Sequence, residues 1–398
     1  MSDWEAVRLD ALAADEKSAI SKPYGSAMVK DDYRSTGVPV VRGVNLAGGT
    51  FHDDDFVFIE PALADRIPGA NMRAGDLVVT HRGTVGQVSM IPRAPRHERY
   101  VASTSHVKVR LDATRAVPEF FYYWFQSARG RDSILVHSST VGVPGIAQPV
   151  TTVKGLTVPF PPIGVQRGIA QVLGALDDKI AANSGVVTTA DALAASLTRS
   201  VLDMTRQVAL NEIALVTMGS SPPGTSYNEV GEGTVFYQGV RDFGVRYPDN
   251  RVWTTEPVRM AKAGDCLLSV RAPVGRLNLS AEDTCIGRGL ASVRSLAATP
   301  MTLFHLLRDA PEAWAPYEAE GTIFGSINKD QLEALRLPTV PEEFVEGLEQ
   351  QLRALEASVA SCLDENLKLA GMRDALLPQL MSGKIRVKEA EQLVGEVV

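Results

Sequence analysis

Two long stretches of the chain carry apolar residues at alternating spacings of four and three. In the first stretch the repeating positions are Ile169, Leu173, Leu176, Ile180, Asn183, Val187, Ala190, Ala194, Leu197 and Val201. In the second stretch they are Leu348, Leu352, Leu355, Val359, Cys362, Asn366, Leu369, Arg373, Leu376 and Leu380. A seam kept over more than four heptads is typical of coiled-coil packing. The pattern therefore predicts two long helices of about 33 residues, or roughly 50 Å each.

The polar residues of these seams predict how the two helices pair. Asn183 and Asn366 are the two asparagines of the seams, and a level antiparallel pairing places them opposite each other. A level parallel pairing instead sets Asn183 against Cys362 and Asn366 against Val187. Because a buried amide needs a hydrogen-bonding partner to fix a register, antiparallel pairing with Asn183 facing Asn366 is favoured.

The chain also contains an internal repeat. Residues 72–86 align without a gap on residues 261–275, matching an Ala-Gly-Asp turn, an Arg and a Val-Gly pair. Upstream, residues 38–46 lie over 234–242, and downstream the segment from Pro162 corresponds to the segment from Pro341. We therefore predict two copies of one unit, each with a globular part followed by a long helix.

Each globular part has the pattern of a mixed structure. The runs GDLVVT (75–80) and GDCLLSV (264–270) predict strands after Gly-Asp turns. The segments EFFYYWFQSARG (119–130) and MTLFHLLRDA (301–310) predict helices, with the aromatic side chains in the core. The predicted fold class is α/β (α+β), with two globular domains joined by two long helices in an antiparallel coiled coil and a pseudo-twofold internal repeat.

Composition and charge limit the possible functions. The 398 residues are 45% hydrophobic and 22% charged, which is typical of a globular protein. Lys and Arg total 40 against 47 for Asp and Glu, so the net charge of −7 restricts any nucleic-acid site to a local basic patch. The three cysteines are too few for a disulfide or zinc framework. An acidic N-terminus without a signal sequence, and no apolar run of about 18 residues, predict a soluble cytoplasmic protein.

Motifs for nucleotide, metal and nucleophilic chemistry are missing from the sequence. It has no G-x-x-x-x-G-K-[ST] loop, no G-x-G-x-x-G after a strand, no H-E-x-x-H and no G-x-S-x-G elbow. The run Asp53–Asp55 is interpreted as a solvated turn, because consecutive carboxylates do not converge on a cation without a dedicated loop. We expect no catalytic residue, metal site or cofactor in this chain, and therefore a recognition or scaffold role.

Two segments resemble the conserved regions of a known family. TVPFPPIGVQRGIAQVLGALDDKIAANSGVV (157–187) is similar to the central conserved region of type I restriction-modification specificity (S) subunits. There, a strand ending in Pro-Pro leads through a Gln to a long helix marked by Leu-Asp-x-x-Ile. MRDALLPQLMSGKIRV (372–387) resembles their C-terminal conserved region. The chain departs from the family at Val165, where an acidic residue is usual, and at Val345, which occupies the position of Gln166 in the second copy.

The resemblance implies the domain organisation of the chain. Target recognition domain 1 would span 1–162 and target recognition domain 2 would span 206–341. A central conserved helix at 163–205 would separate them, and a C-terminal conserved helix at 342–386 and a tail at 387–398 would follow. Each recognition domain would bind one half of an asymmetric, bipartite site in double-stranded DNA. The helix pair would set the distance between the two half-sites.

The resemblance also implies partners and their cofactors. The helix pair would dock two methyltransferase subunits, which carry S-adenosylmethionine and the catalysis. Restriction/translocase subunits using ATP and Mg²⁺ would join where a restriction system is present for phage defence. The chain itself would be a non-catalytic DNA-binding subunit with no cofactor and no contact with a membrane.

Polar side chains in turns are the candidates for DNA contact, because Arg, Asn and Gln bind base edges. The candidates are Arg42, Asn45, His81, Arg82, Ser105 and His106 in the first domain and Gln238, Arg241, Arg271, Arg276 and Arg288 in the second. Arg82 and Arg271 recur in both copies and so cannot explain two different half-sites, which favours phosphate contacts or structural pairs for them. The pairs Arg42/Gln238 and Asn45/Arg241 differ between copies, as base contacts should, although drift of surface residues also produces differences.

Other functions remain open from the sequence. A self-sufficient methyltransferase needs an Asn- or Asp-Pro-Pro-aromatic motif, and the nearest candidate, Ser220–Gly224, lacks both the amide and the aromatic residue. A coiled-coil scaffold that binds protein alone is a second alternative. A specificity subunit of a methylation-only or other phage-defence system is a third. No motif encodes the target sequence, the spacer length or the modified base.

Overall fold

The chain folds into two compact units, each built around its own core. The structure is a computed structural model that describes residues 4–24, 27–139, 142–317 and 325–395. Unit 1 comprises Met1–Ala181 and Asn366–Val398, and unit 2 comprises Ala182–Glu365. Each unit therefore contains one globular part together with a portion of each long helix.

The described part of unit 1 is a mixed α/β structure. Its strands are β1 (Glu5–Arg8), β2 (Ile20–Ser21), β3 (Val38–Val41), β4 (Val57–Ile59), β5 (Asn71–Met72), β6 (Leu77–Thr80), β7 (Val88–Met90), β8 (Tyr100–Ala102), β9 (His106–Val109) and β10 (Thr157–Phe160). Its helices before the first long helix are α1 (Pro61–Arg66), α2 (Pro118–Gln126), α3 (Ala128–Leu135) and α4 (Pro149–Gly155). Two sheets have the strand orders β2-β9-β6-β7 and β4-β3-β8-β5, and β1 pairs antiparallel with β10.

The first long helix, α5, runs from Ile163 to Val201 and leads into unit 2. The strands of unit 2 are β11 (Asp203–Ala209), β12 (Ala214–Met218), β13 (Tyr227–Asn228), β14 (Thr234–Tyr237), β15 (Trp253–Thr254), β16 (Met260–Ala261), β17 (Cys266–Ser269), β18 (Leu277–Leu279), β19 (Thr284–Ile286), β20 (Leu290–Ser295) and β21 (Arg336–Thr339). Its helices are α6 (Leu210–Ile213), α7 (Pro300–Arg308), α8 (Pro311–Trp314), α9 (Lys329–Glu333) and the second long helix, α10 (Glu342–Met381). A last helix, α11 (Val387–Gly395), belongs to unit 1.

The predicted internal repeat is visible in the sheet topology. Unit 2 has the strand orders β12-β20-β17-β18 and β13-β15-β14-β19-β16, and β11 pairs with β21. These orders match unit 1 strand for strand, with β13 as an added edge strand. In both units one parallel pair, β3 with β8 and β14 with β19, lies at the centre of an otherwise antiparallel sheet. The mixed α/β prediction is therefore confirmed for the described residues.

The repeated Gly-Asp pair has a structural role in both units. Gly75 and Gly264 adopt φ values of 81° and 84°, a left-handed conformation that favours glycine. Asp76 accepts a hydrogen bond from the backbone N of Arg73 at 2.9 Å and pairs with Arg110 through both carboxylate oxygens. The buried carboxylate therefore closes the turn before β6 and connects this strand to β9.

Unit 2 repeats this arrangement. Asp265 accepts a hydrogen bond from the backbone N of Lys262 at 2.8 Å and pairs with Arg294 at 2.7 and 2.9 Å. Asp265 is 2% exposed. The same ion pair therefore connects β17 with β20, so the residues that recur in the sequence maintain the common framework.

The predicted strands and helices of the globular parts are present. GDLVVT contains β6 and GDCLLSV contains β17, while the aromatic and leucine-rich segments form α2 and α7. Phe120, Phe121 and Phe125 are fully buried in the core of unit 1, as expected for a packing role. Helices α5 and α10, with 39 and 40 residues, are longer than the seam predicts because both begin before its first position.

Within each unit, seam residues of the two long helices share hydrophobic clusters. In unit 1, Leu173 and Leu176 of α5 belong to the same buried cluster as Leu376 and Leu380 of α10. In unit 2, Val187 and Ala190 of α5 share a cluster with Val359 of α10. The seam positions therefore pack between helices, as the spacing predicts.

The segment 387–398 was expected only as a tail. Residues 387–395 instead form α11, which buries Ala390 and Val394 in the core of unit 1. Val387 approaches so closely that a Cβ on Gly168 of α5 would lie 2.5 Å from its Cγ1. A glycine on α5 therefore makes room for this helix.

Candidate nucleic-acid interface

An open groove in unit 2 brings together three of the residues predicted to contact DNA. The groove has a volume of about 850 Å³, and Gln238, Arg241 and Arg271 line it from three separate segments. Gln238 follows β14, Arg241 lies in a 3₁₀ turn at 240–242, and Arg271 follows β17. All three side chains are exposed. The fold therefore gathers side chains that are far apart in the sequence onto one concave surface.

Aromatic side chains line the same groove. Tyr227 and Phe236 stack with their ring centroids 4.9 Å apart, and Trp253 also lines the groove. Guanidinium and amide groups bind base edges and phosphates, while aromatic faces pack against bases and sugars. The chemistry of the groove therefore suits a nucleic-acid ligand.

The charge of the groove differs from the charge of the whole chain. Three arginines, Arg241, Arg251 and Arg271, line it together with two carboxylates, Asp242 and Glu229. Arg251 forms an ion pair with Asp242, whereas neither Arg241 nor Arg271 has an ion pair within the described ranges. A chain with a net charge of −7 thus presents a locally positive surface here.

The other two candidates of unit 2 lie outside this lining. Arg288 is exposed and directly precedes Gly289, which does line the groove. Arg276 is also exposed, and its backbone N donates to the Ser269 hydroxyl at 2.9 Å. Arg288 is thus adjacent in sequence to a residue of the groove, while Arg276 is not among the residues that line it.

The candidates of the first domain require a correction at Asn45. Asn45 is 1% exposed, its Oδ1 accepts from the backbone N of Arg42 at 2.9 Å, and its Nδ2 donates to the Asp54 carbonyl at 2.7 Å. Because the amide is buried and used by the backbone on both sides, it is not available to a base edge. Arg42 is half-buried, and its Nη2 donates to the Asp55 carbonyl at 3.1 Å.

The structure also corrects the alignment of Asn45 with Arg241. In unit 2 the side chain that accepts from the end of the strand is Asp242, whose Oδ2 lies 2.8 Å from the backbone N of Gln238. The turn of unit 2 has one more residue, Gly239, before the 3₁₀ segment. Asn45 therefore corresponds to Asp242, and Arg241 corresponds to the exposed Val44.

The two histidines proposed to contact DNA are buried. His106 is 1% exposed, and its Nδ1 lies 2.8 Å from the Ser103 hydroxyl; His81 is 7% exposed, and its Nε2 lies 3.0 Å from the Thr104 carbonyl. Burial lowers the pKa of His106 to about 4, and burial also lowers the pKa of His81. Both rings are therefore neutral near pH 7 and packed inside unit 1, which argues against direct base contact.

The remaining candidates of unit 1 are accessible at least in part. Ser105 is half-buried, and its carbonyl accepts from the backbone N of His81 at 3.0 Å. Arg82 is exposed, and its backbone forms a bridge with Gly145, just as Arg271 forms a bridge with Ser326 in unit 2. Arg82 and Arg271 thus occupy equivalent positions, which fits the common role that their recurrence suggested.

The acidic run behaves as part of a turn. Asp53 accepts hydrogen bonds from the Tyr100 hydroxyl and the backbone N of Arg96, both at 2.6 Å, while Asp54 and Asp55 are exposed. In the ranges that the structure describes, no cluster of three or more His, Cys, Asp or Glu side chains is arranged to hold a metal ion. No helix in those ranges is both long and apolar enough to cross a membrane.

In unit 1, a carboxylate on the long helix anchors the globular part. Asp177 of α5 accepts from the Tyr123 hydroxyl at 2.7 Å and pairs with Arg373 of α10 at 2.8 Å. Burial and the Asp177 carboxylate raise the pKa of the Tyr123 hydroxyl, which remains a donor. Asp177 is the acidic residue of the Leu-Asp-x-x-Ile motif, so the motif connects the globular part to both helices.

In unit 2, Glu356 of α10 has the same role. It accepts from the Tyr247 hydroxyl at 2.8 Å and lies 3.3 Å from Nε of Arg246. Burial raises the pKa of the Glu356 carboxyl, against the opposing effect of Arg246. No prediction from the sequence included this anchor, although an acidic residue follows the seam leucine in both copies, at Leu176-Asp177 and Leu355-Glu356.

Asn183 and Asn366 are the residues predicted to fix the register of the helix pair, and the structure describes a hydrogen bond for Asn183. Asn183 Nδ2 donates to Glu365 Oε2 at 2.7 Å, and both residues belong to unit 2. Asn366 belongs to unit 1. The pairing of Asn183 with Asn366 stays a prediction.

Comparison with known proteins agrees with these features. Residues 1–187 match the family described as the type I restriction modification DNA specificity domain. A putative type I restriction enzyme MjaX specificity subunit from Methanocaldococcus jannaschii is 24% identical over 414 residues, which cover 97% of this chain and 94% of that protein. The crystal structure of the type I restriction-modification system S subunit from M. genitalium matches with a TM-score of 0.62 at 15% identity, covering 95% of this chain and 96% of that one, and so shares the fold. Residues 1–187 are therefore similar to the type I restriction modification DNA specificity domain, and nearly the whole chain is similar to a putative type I restriction enzyme specificity subunit.

Proposed function

We propose that this chain is a non-catalytic specificity subunit of a type I restriction-modification system. It binds an asymmetric, bipartite site in double-stranded DNA, with one half-site contacted by each globular unit. The observation that carries the proposal is a repeated framework with different surface residues. Equivalent turns present Arg42 and Gln238, and the next equivalent exposed positions hold Val44 and Arg241. Because base recognition depends on side-chain donors and acceptors, two such surfaces suit two different half-sites.

In this proposal the two long helices form an antiparallel coiled coil that spaces the half-sites. Two observations support it. In unit 1 the beginning of α5 shares a cluster with the end of α10, and in unit 2 the later part of α5 shares a cluster with an earlier part of α10. Helices of 39 and 40 residues have a length of roughly 60 Å, which is enough to hold two recognition surfaces apart along a duplex.

The helix pair also docks two methyltransferase subunits, and restriction/translocase subunits join where they exist. The methyltransferase subunits carry S-adenosylmethionine, and the restriction subunits carry ATP and Mg²⁺. The missing cofactor and nucleotide loops of this chain support this division. Calorimetry tests it directly: the isolated subunit is expected to give no heat of binding with S-adenosylmethionine, whereas the complex with its methyltransferase partners does. Binding to the isolated subunit would overturn this assignment.

A binding assay separates this function from a scaffold that binds protein alone. The complex with methyltransferase subunits is titrated by filter binding onto a duplex carrying the motif methylated in vivo and onto a scrambled duplex. Sequence-specific DNA binding predicts a preference of at least about 10³-fold for the motif at physiological salt. Equal affinity for both duplexes would favour the scaffold.

Matched variants locate the interface within unit 2. Arg241→Ala combined with Arg271→Ala should weaken binding of the motif, because both side chains line the groove without an ion pair in the part of the chain described. Arg206→Ala is the control, since Arg206 is exposed in unit 2 but does not line this groove. An equal effect of Arg206→Ala would place the DNA elsewhere.

A further inference from the structure

Arg251 occupies the groove of unit 2 in an orientation fixed by a carboxylate. Its Nη2 donates to the Asp242 carboxylate and, at 3.0 Å, to the Arg241 carbonyl oxygen. The Arg251 side chain is 40% exposed, whereas the Asp242 side chain is 9% exposed. Within the described ranges, no protein acceptor is found for Nη1 or Nε of Arg251. The Arg251 guanidinium is thus fixed through Nη2, and its Nη1 and Nε donors lie in an open groove without a protein acceptor in the described ranges.

The carboxylate that holds Arg251 is itself fixed by the backbone. Asp242 Oδ2 accepts from the backbone N of Gln238 at 2.8 Å, and the Asp242 carbonyl accepts from the backbone N of Asp249 at 2.8 Å. Asp242 therefore connects the end of β14, the 3₁₀ turn and the loop that leads to Arg251. Because Asp242 fixes the Arg251 side chain before a ligand binds, Arg251 loses less conformational entropy on binding.

The charged pair distinguishes unit 2 from unit 1. Val235 lies opposite Trp253 in unit 2, and Pro39 lies opposite Phe58 in unit 1. Arg251 and Phe56, each two residues earlier, are therefore equivalent, as Asp242 and Asn45 are. Unit 1 thus has a neutral amide and a phenyl ring where unit 2 has an ion pair.

The surroundings of the phenyl ring confirm the difference in chemistry. The ring centroid of Phe56 lies 5.7 Å from that of Tyr100 and 6.0 Å from that of His97. Phe56 therefore packs in an aromatic cluster of unit 1, whereas Arg251 of unit 2 presents hydrogen-bond donors. Both members of the pair change together between the two repeats, at the surface where the half-sites must differ.

We infer that Arg251 is a specificity-determining residue that contacts a guanine in the half-site bound by unit 2, and that Asp242 is its positioning residue. This inference rests on the proposed function. Nη1 keeps hydrogens that can donate to O6 or N7, the two acceptors at the major-groove edge of guanine. Adenine and cytosine each present an amino donor at this edge, which would face the guanidinium hydrogens.

The ion pair favours a base contact over a phosphate contact. Asp242 neutralises Arg251, so the pair attracts a phosphate less than an unpaired arginine does. The directional donors on Nη1 and Nε are retained. Arg271, which has no ion pair in the described ranges, suits the phosphate role instead.

The test uses the complex with methyltransferase subunits and a series of duplexes in which each base pair of the motif is replaced in turn. Arg251→Ala should lose discrimination at a single G·C pair by about 5- to 150-fold. The slope of log affinity against log salt should stay unchanged. Arg271→Ala is the matched comparison, and it should weaken all duplexes alike and reduce the slope by about 0.9.

Two further measurements test the mechanism of the contact. Asp242→Asn keeps the acceptor for the turn, as Asn45 does in unit 1, and should weaken discrimination at the same base pair only. Replacing that guanine by 7-deazaguanine should weaken binding of the wild type, but cause no additional loss in Arg251→Ala. A uniform loss with a smaller salt slope, or no change at any position, would overturn the inference while leaving the wild-type preference for the motif intact. A wild type without any preference would overturn the proposed function as well.

Discussion

Several residues that recur in the two repeats maintain the framework, and several that differ between them line the groove of unit 2. Asp76 and Asp265 are buried, cap equivalent turns and hold Arg110 and Arg294. Gln238, Arg241 and Arg251 have no identical counterpart in unit 1 and lie in the groove. The aspartate that recurs in both repeats, Asp76 in unit 1 and Asp265 in unit 2, is thus required by the fold.

The buried ion pair of unit 1 leads to a stability prediction. Asp76→Asn removes the charge that pairs with Arg110 at 2.6 Å, where the two side chains are only 2% and 13% exposed. Arg110 keeps its second ion pair, with Glu16 at 2.7 Å, so the loss is that of the charge-assisted hydrogen bonds to Asp76, and the free energy of unfolding should fall by about 2 kcal/mol. Chemical denaturation measures it. Asp54→Asn, at an exposed carboxylate, is the control, and equal stability of the two variants would contradict the role given to Asp76.

His106 makes the stability of unit 1 dependent on pH. Burial, with a smaller contribution from His81, lowers its pKa to about 4, from an ordinary value near 6.5. The unfolded chain therefore binds the proton more readily than the folded one. The stability from the neutral ring is complete above about pH 6.5 and is lost as the pH falls towards about 4, by about 3 kcal/mol at most.

The variant His106→Leu tests this dependence, because unit 2 has Leu290 at the equivalent position. When the pH is lowered from 6.5 to 4, the free energy of unfolding of His106→Leu should fall less than that of the wild type. Denaturant titrations at several pH values measure both. His137→Leu, at an exposed histidine, should leave the wild-type dependence unchanged. A wild-type dependence in His106→Leu would mean that another group is responsible.

At the scale of elements, the spacing of apolar residues predicted the strands and helices that bury one face in a hydrophobic core. β6, β17, α2 and α7 lie where the sequence places them, and both long helices follow the seam. Helix α11 was missed because it is short and buries chiefly Ala390 and Val394. The extra residue Gly239 was also missed, since an ungapped alignment cannot register one inserted residue in a turn.

The two repeats cap equivalent helices in different ways. In unit 1, Gln166 Oε1 accepts from the backbone N of Val117, directly before α2, at 2.9 Å. The equivalent residue in unit 2 is Val345, whose side chain has no hydrogen-bond acceptor. Glu349, one turn further along α10, accepts instead from the backbone N and the hydroxyl of Thr302 at 2.8 and 2.9 Å. The departure from the family pattern at Val345 is therefore compensated within the same helix.

Glu349→Ala should consequently destabilise unit 2. It removes the acceptor for the first turn of α7 and the favourable interaction with the helix dipole, so the free energy of unfolding should fall by about 2 kcal/mol. Thermal or chemical unfolding measures the change. Glu346→Ala is the control on the same helix, because Glu346 is exposed. A loss equal to that of Glu346→Ala would show that the cap contributes nothing.

At the scale of the whole molecule, the repeat predicted two units, but it could not predict which polar residues are accessible. Asn45, His81 and His106 look like surface residues of turns and strand ends in the sequence, yet tertiary packing buries them. Arg251 lies two residues before β15 at the position that Phe56 occupies in unit 1, and no sequence motif marks either residue. The groove of unit 2 depends on contacts between distant segments, which a single sequence does not specify.

The central claim is that the two units recognise the half-sites and the long helices set only the distance between them. One heptad is inserted into each helix, between Val187 and Thr188 and between Ser361 and Cys362. The seam stays in phase because seven residues are one whole repeat, and Val187 and Cys362 belong to the same cluster of unit 2. The pair becomes longer by about 10.5 Å, or roughly three base-pair steps. Sequencing the methylated sites of a host that expresses this variant with its methyltransferase partners is the decisive measurement. The account predicts the two original half-sites separated by a gap about three base pairs longer, whereas altered half-site bases with the original gap would contradict it.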